Sequence, residues 1–165
     1  REIAERLDLQ AGDIDVLNLA RARMRWPDFR RCTDAAAGWA RECGLGDLLD
    51  SSDLDLMACR GARYHDDATQ YGGSVFCNLF VSEGKQLDVD FPAAGRRIAL
   101  ERGTILLFDT AQPHGVIRRQ GDHFDAAHFA PGCDCTQLFL TWELPVENAA
   151  VARLMGIAFE VGPQP

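Results

Sequence analysis

Seven or eight short apolar runs, separated by turn signals and not by helices, predict a mainly β protein: a sandwich or barrel rather than a parallel βαβ sheet. Strand-like runs occupy residues 54–59, 74–81, 87–91, 96–100, 104–108, 115–118 and 137–142, and the 87–91 run alternates apolar with acidic side chains. Turn formers punctuate them at Tyr71-Gly72-Gly73, Ser82-Glu83-Gly84, Pro92-Ala93-Ala94-Gly95, Glu101-Arg102-Gly103 and Gln112-Pro113. Before Asp53 no β-alternation is evident, so the first fifty or so residues have a different texture.

That opening stretch reads as helical. Ile14, Leu17, Leu19, Ala20 and Met24 recur at roughly helical spacing, and Pro27 stops the element. Thr33 or Asp34 is placed to cap a second helix over residues 35–43, which Gly44 ends. The strand series follows. Residues 121–135 form a longer irregular excursion before the last strand, long enough to act as a lid and, with the helical layer, to frame an entrance. An amphipathic stretch over 146–158 is expected to pack as a helix on the outside. One domain over 1–165 is the expectation: a helical support layer (1–50), a β core (54–144) and the closing helix.

Composition bounds the function. A chain of 165 residues with 47% hydrophobic and 25% charged residues can bury a core without a disulfide or metal staple, and it is not of disordered type. A net charge of −8 and a pI near 4.9 repel phosphate backbones, which argues against nucleic acid as a partner. The nearest basic cluster, Arg21, Arg23, Arg25, Arg30 and Arg31 around Trp26 and Phe29, matches no binding-module pattern. No apolar run reaches the length of a membrane span. The opening Arg1-Glu2-Ile3-Ala4-Glu5-Arg6 is charged where a signal peptide is apolar. With six scattered cysteines, these features point to free thiols in a reducing, cytoplasmic setting. Oligomeric state is not legible.

The chemistry starts at Arg63-Tyr64-His65-Asp66-Asp67. In an extended segment, side chains two apart share a face, so His65 and Asp67 can aim at one point while Asp66 turns away. A neutral imidazole and a carboxylate suit a divalent iron. His114, in Pro113-His114-Gly115 at the start of an apolar strand, offers a third ligand. The interval from Asp67 to His114 has room for about four short strands with tight turns, enough to travel round a small barrel and return. Two histidines and one carboxylate on one face of iron leave positions open for a substrate, a cosubstrate and oxygen.

Tyr64-His65-Asp66-Asp67, then Ser74-Val75-Phe76-Cys77-Asn78-Leu79, then Gly103-Thr104-Ile105-Leu106-Leu107-Phe108, then Pro113-His114-Gly115-Val116 closely resembles the iron(II)/2-oxoglutarate-dependent dioxygenases, in particular their prolyl-4-hydroxylase-like branch. The resemblance covers residues 54–144. It implies a double-stranded β-helix, or jelly roll, with Fe(II) held by His65, Asp67 and His114 as the catalytic centre. It also implies 2-oxoglutarate as cosubstrate, hydroxylation of a substrate C–H bond with release of succinate and carbon dioxide, and room for ascorbate as an accessory reductant. A small molecule or a peptidyl side chain would be the substrate.

The cosubstrate's distal carboxylate needs a cation, best a guanidinium. In the family a basic residue commonly sits about ten positions after the second histidine. Here His123 and Phe124 occupy that spacing, and the last strand opens with Thr136-Gln137-Leu138. Strand alternation from His114 turns Val116 and Arg118 inward and Arg119 outward, so Arg118 is the expected substitute. Asn78, inside an apolar strand, is a second candidate for a cosubstrate hydrogen bond, against the plainer reading of a buried amide satisfied by backbone. His123, His128, Cys133 and Cys135 could suggest zinc, but Cys133-Asp134-Cys135 has one intervening residue where structural zinc pairs have two to four. Two other classes compete with the hydroxylase: a non-catalytic β-barrel binding module, and a cupin-type metalloprotein that does not use 2-oxoglutarate.

Overall fold

Short runs with apolar side chains at period two build the nine strands of residues 8–157, the part of the chain that the computed structural model describes. The elements are β1 (Ile14–Leu17), α1 (Leu19–Arg23), α2 (Phe29–Glu42), β2 (Leu54–Cys59), β3 (Ala62–His65), α3 (Ala68–Tyr71), β4 (Ser74–Phe80), β5 (Leu87–Phe91), β6 (Arg96–Ala99), β7 (Ile105–Asp109), β8 (His114–Arg118), β9 (Gln137–Pro145) and α4 (Ala149–Met155). The opening residues 1–7 and residue 158, the last of the predicted closing helix, lie outside the described residues.

The strands form two antiparallel sheets, one of order β1-β2-β9-β4-β7 and one of order β3-β8-β5-β6. Their pairing is nested: β2 with β9, β3 with β8, β4 with β7 and β5 with β6. A long hairpin rolled so that its strands pass between two facing sheets has this pattern, and it is the jelly roll. The sheets do not close into one hydrogen-bonded cylinder among the described residues.

Alternation along β9 shows how one sheet serves two cores. Leu140, Trp142 and Leu144 face outward and pack with Ala36 and Ala40 of α2 and Val151 of α4. Phe139 faces inward with Phe80, Leu106 and Phe108, against Val89, Phe91 and Val116 of the opposite sheet. By the same period, Gln137, Thr141 and Glu143 also point into the barrel. Phe80 stacks on Phe139 with ring centroids 5.0 Å apart, filling the middle.

The helical layer is present but differs from the sequence expectation. Ile14 to Leu17 is an edge strand, paired with β2 from Ile14↔Cys59 to Leu17↔Leu56. Its Ile14 and Val16 alternate at period two, and helical spacing across so short a segment arises by chance. α2 begins at Phe29, ahead of the predicted cap; Thr33 instead returns its hydroxyl to the Arg30 carbonyl within the helix. β3, absent from the predicted strand series, pairs with β8 through Ala62↔Val116 and His65↔His114. Among the described residues no helix is long and apolar enough to cross a membrane.

The barrel has two distinct ends. His65 closes β3 and His114 opens β8, so both lie at one end, here the near end. Arg118 and the 121–135 excursion follow β8 to the far end, ~13 Å along the strand. That excursion is therefore not a lid over the histidines. Its short 3-10 turn Ala126–Phe129 inserts Phe129, 2% exposed, as a plug. Gly61, at φ +64°, makes room: a Cβ there would stand 2.5 Å from the Phe129 ring. Arg60 clamps the plug by donating to the carbonyls of Phe129, Ala130 and Cys133.

Candidate metal centre

His65 and His114 face each other across the β3–β8 ladder, ring centroids 4.5 Å apart. Gly115 permits the close approach of the two strands, since a Cβ there would meet the Tyr64 ring at 3.0 Å and the Ala62 carbonyl at 3.1 Å. Asp67 is not on the strand. The chain leaves β3 after His65, and Asp67 takes the N-cap position of α3 at φ −109°, ψ 12° with its carboxylate uncommitted to the helix. The sequence argument from strand alternation thus names the right neighbours for the wrong local reason. A turn, not a pleat, brings the carboxylate round.

Thr110 holds that turn in place, and nothing in the sequence marked it. Wholly buried after β7, it accepts the Asp67 backbone N–H at its carbonyl (2.8 Å) and donates its hydroxyl to the Tyr71 and Ser74 carbonyls at 2.7 and 2.9 Å. Both ends of α3 are therefore pinned by one residue.

The three side chains offer ligand atoms within 4.8 Å of one another, and among the described residues no other group of histidine, cysteine or acidic side chains does so. Asp67 Oδ1 lies 3.8 Å from His65 Nε2 and Oδ2 lies 3.9 Å from His114 Nε2. Those separations are too long for hydrogen bonds, so the lone pairs are not consumed among themselves. Each imidazole is oriented from behind: His65 Nδ1 lies 2.6 Å from the Arg63 carbonyl and His114 Nδ1 2.9 Å from the Gln112 carbonyl. A carbonyl only accepts, so Nδ1 carries the proton and Nε2 presents a lone pair to the shared point. Burial pushes the His114 pKa below its ordinary 6.5; the Gln112 hydrogen bond opposes this and His65 adds to it. The imidazole is thereby kept in the neutral, ligating form. Two imidazoles and a carboxylate on one side of a point fit a divalent first-row ion.

Behind the histidines lies a cavity of about 40 Å³, lined by His65, His114 and Asn78 and otherwise by apolar side chains such as Phe80, Phe108, Val116 and Phe139. That is room for two or three water-sized groups, far below the several hundred Å³ of a pocket for a larger ligand. Asn78, 7% exposed, has a buried Oδ1 without a hydrogen-bond partner among the described residues, so backbone does not satisfy the amide oxygen there. Beside it, Thr141 Oγ1 is also buried and unpartnered.

Arg118 takes no part in this cavity. It does share the inward parity of His114 and Val116, but its Nε and Nη2 donate to the His128 carbonyl, its Nη1 to the Lys85 carbonyl and its Nη2 to Cys133 Sγ. Arg119 lies on the outer face, paired with Asp88 and Glu101. No lysine or arginine lines the cavity. Nor do His123, His128, Cys133 and Cys135 converge: His123 pairs with Asp122, and Cys133 faces Arg118.

No family profile and no curated protein sequence matches the chain. Among solved structures, it overlaps an RmlC-like cupin protein from Desulfovibrio desulfuricans at TM-score 0.35 and 10% identity, covering 55% of this chain and 72% of that one. A cupin domain from Bordetella pertussis Tohama I overlaps at TM-score 0.34 and 13% identity, over 55% and 80%. The polyketide cyclase RemF from Streptomyces resistomycificus overlaps at TM-score 0.34 and 15% identity, and the match spans 60% of this chain and 64% of the cyclase. Overlaps at these scores say nothing of what the chain binds or does. The jelly roll rests on its own strand order.

Proposed function

We propose that this chain is a mononuclear iron(II) enzyme of cupin type, holding the ion through His65 Nε2, the Asp67 carboxylate and His114 Nε2 and using no 2-oxoglutarate. The observation that carries the reading is the convergence of three donors whose lone pairs no other group among the described residues engages. When bound there, iron supplies a site at which dioxygen can react beside an apolar cavity. The chain's own residues do the rest. The Arg63 and Gln112 carbonyls fix the imidazole tautomers, Thr110 fixes Asp67, and the Phe80, Phe108 and Phe139 rings exclude water.

Against 2-oxoglutarate stand the cation-free cavity and the engagement of Arg118 by two backbone carbonyls and a sulfur. A 2-oxoglutarate-dependent hydroxylase is the second reading, favoured by the order and spacing of His65, Asp67 and His114 in the jelly roll. Calorimetric titration of the iron-loaded protein with 2-oxoglutarate under anaerobic conditions separates the two. The first reading expects no saturable binding up to millimolar concentration and no succinate on exposure to air. Micromolar binding lost in Arg118→Met would establish the second instead.

A further inference from the structure

The interior wall facing the histidines carries two buried side-chain oxygens without a partner among the described residues, Asn78 Oδ1 and Thr141 Oγ1. Thr141 of β9 is in register with Asp55 of β2 on one side and with Asn78 of β4 on the other. Residues directly opposite in a sheet share a face, with Cβ atoms ~5 Å apart, so the three side chains form one row that runs from the solvent-exposed Asp55 to the buried Thr141 and Asn78. The assignment of faces is independent of that row, because Met57 and Cys59 on β2 pack in the inner core while Leu54 and Leu56 pack in the outer one. One step toward the near end, Glu143 is in register with Phe76 and accepts the Ser74 hydroxyl. Among the described residues neither Asp55 nor Glu143 is in an ion pair. Tyr71 packs on Phe76 with centroids 4.9 Å apart, at the end of the helix that Asp67 begins.

An acidic cluster alone is no site. The second observation is the pair of buried oxygens: Asn78 and Thr141 are 7% and 8% exposed, yet Asn78 Oδ1 and Thr141 Oγ1 have no partner among the described residues. A buried acceptor left unsatisfied is costly, and a native fold tolerates it where a ligand completes it. Asn78 Oδ1 accepts only and Thr141 Oγ1 can accept, both stand beside carboxylates without an ion-pair partner among the described residues, and no lysine or arginine is among the cavity-lining residues. The complement of such a row is a positively charged group with several N–H donors.

We infer that the row Asp55–Thr141–Asn78, with Glu143 at its mouth, binds the ammonium head of a small primary amine, which is the substrate class of the cavity beside the triad. The inference deepens the enzyme reading and rests on it for the word substrate. The binding itself needs no metal. An ammonium has three donors, enough for the Asn78 carbonyl, the Thr141 oxygen and one carboxylate. A cavity of about 40 Å³ admits the head and one or two carbons, leaving the remainder of the ligand to extend out of it. Both a free alkylamine and a lysyl side chain present this chemistry.

The test is an NMR titration of the metal-free protein, following the Asn78 side-chain amide and the backbone amides of β9. The probes are n-propylammonium, Nα-acetyl-lysine methylamide, n-propanol and propionate. Either amine should bind at millimolar concentration, at least 10-fold more tightly than propanol, with no binding of propionate; the tighter of the two identifies the source. Asp55→Asn with Glu143→Gln should weaken the amine at least 10-fold in a protein of unchanged Tm. Thr141→Val, of the same shape, should weaken it too while leaving Tm equal or higher. Equal binding of propionate or propanol, or no amine binding by a folded protein, overturns the inference. A failure of metal to bind would leave this titration unaffected, so the two readings fail separately.

Discussion

At the far end of the barrel, Arg60 and Arg118 spend their guanidinium donors on backbone carbonyls, and Phe129 fills the space between them and Gly61. At the near end the arrangement is reversed. Two imidazoles, a carboxylate, an amide oxygen and a hydroxyl all have open valence toward the barrel interior. Both ends are built from the same two sheets, so the fold does not explain the difference. A satisfied end stabilises the protein, whereas an unsatisfied end is available for chemistry, and the two should respond separately to mutation.

The largest stability effect is expected at the plug. Phe129→Ala should cost ~3–5 kcal/mol by leaving a cavity that Gly61 and the Arg60 clamp cannot close, read as a lower urea midpoint. Divalent-metal affinity should be unchanged; a parallel loss of metal binding would show that the ends are coupled. Smaller is Arg60→Met, which leaves three carbonyls without their donor at a cost of ~1–3 kcal/mol. A shift within 0.3 kcal/mol, on the order of measurement scatter, would mean water replaces the guanidinium freely.

The smallest effect sharpens the comparison from the near end. Because burial lowers the His114 pKa below 6.5, the unfolded chain takes up that proton at higher pH than the folded one. Stability of the metal-free protein should therefore be full above pH 6.5 and decline as pH falls below it, levelling once folded His114 itself protonates. His114→Gln should flatten this dependence in urea unfolding across pH 5 to 8. A wild-type profile no steeper than the variant's would show that His114 is not the group responsible.

Much of this was legible in the sequence. Period-two runs gave six of the strands nearly to the residue, among them β5, whose Leu87, Val89 and Phe91 face the inner core while Asp88 and Asp90 alternate with them. That His65, Asp67 and His114 could converge was legible from the placement of His114 at the start of a strand, with room for about four strands after Asp67. β1 was hidden, since four residues at a sheet edge carry too short a pattern to tell period two from 3.6. Arg118 was assigned the right face, but alternation is silent on where a long side chain ends, and the carbonyls of Lys85 and His128 come from chain segments far away in sequence. The unpartnered state of Asn78 and Thr141 depends on what does not reach them, which no local pattern encodes.

Binding of a single divalent ion tests the account most directly. Manganese(II) titrated into the metal-free protein, followed by pulsed electron paramagnetic resonance, should show one ion per chain coupled to two imidazole nitrogens. Asp67→Ala should lower the affinity by at least ~100-fold, beyond what loss of a supporting contact alone produces, in a protein with unaltered Tm. Tight binding without nitrogen coupling, or affinity unchanged in Asp67→Ala, would contradict a centre built from His65, Asp67 and His114.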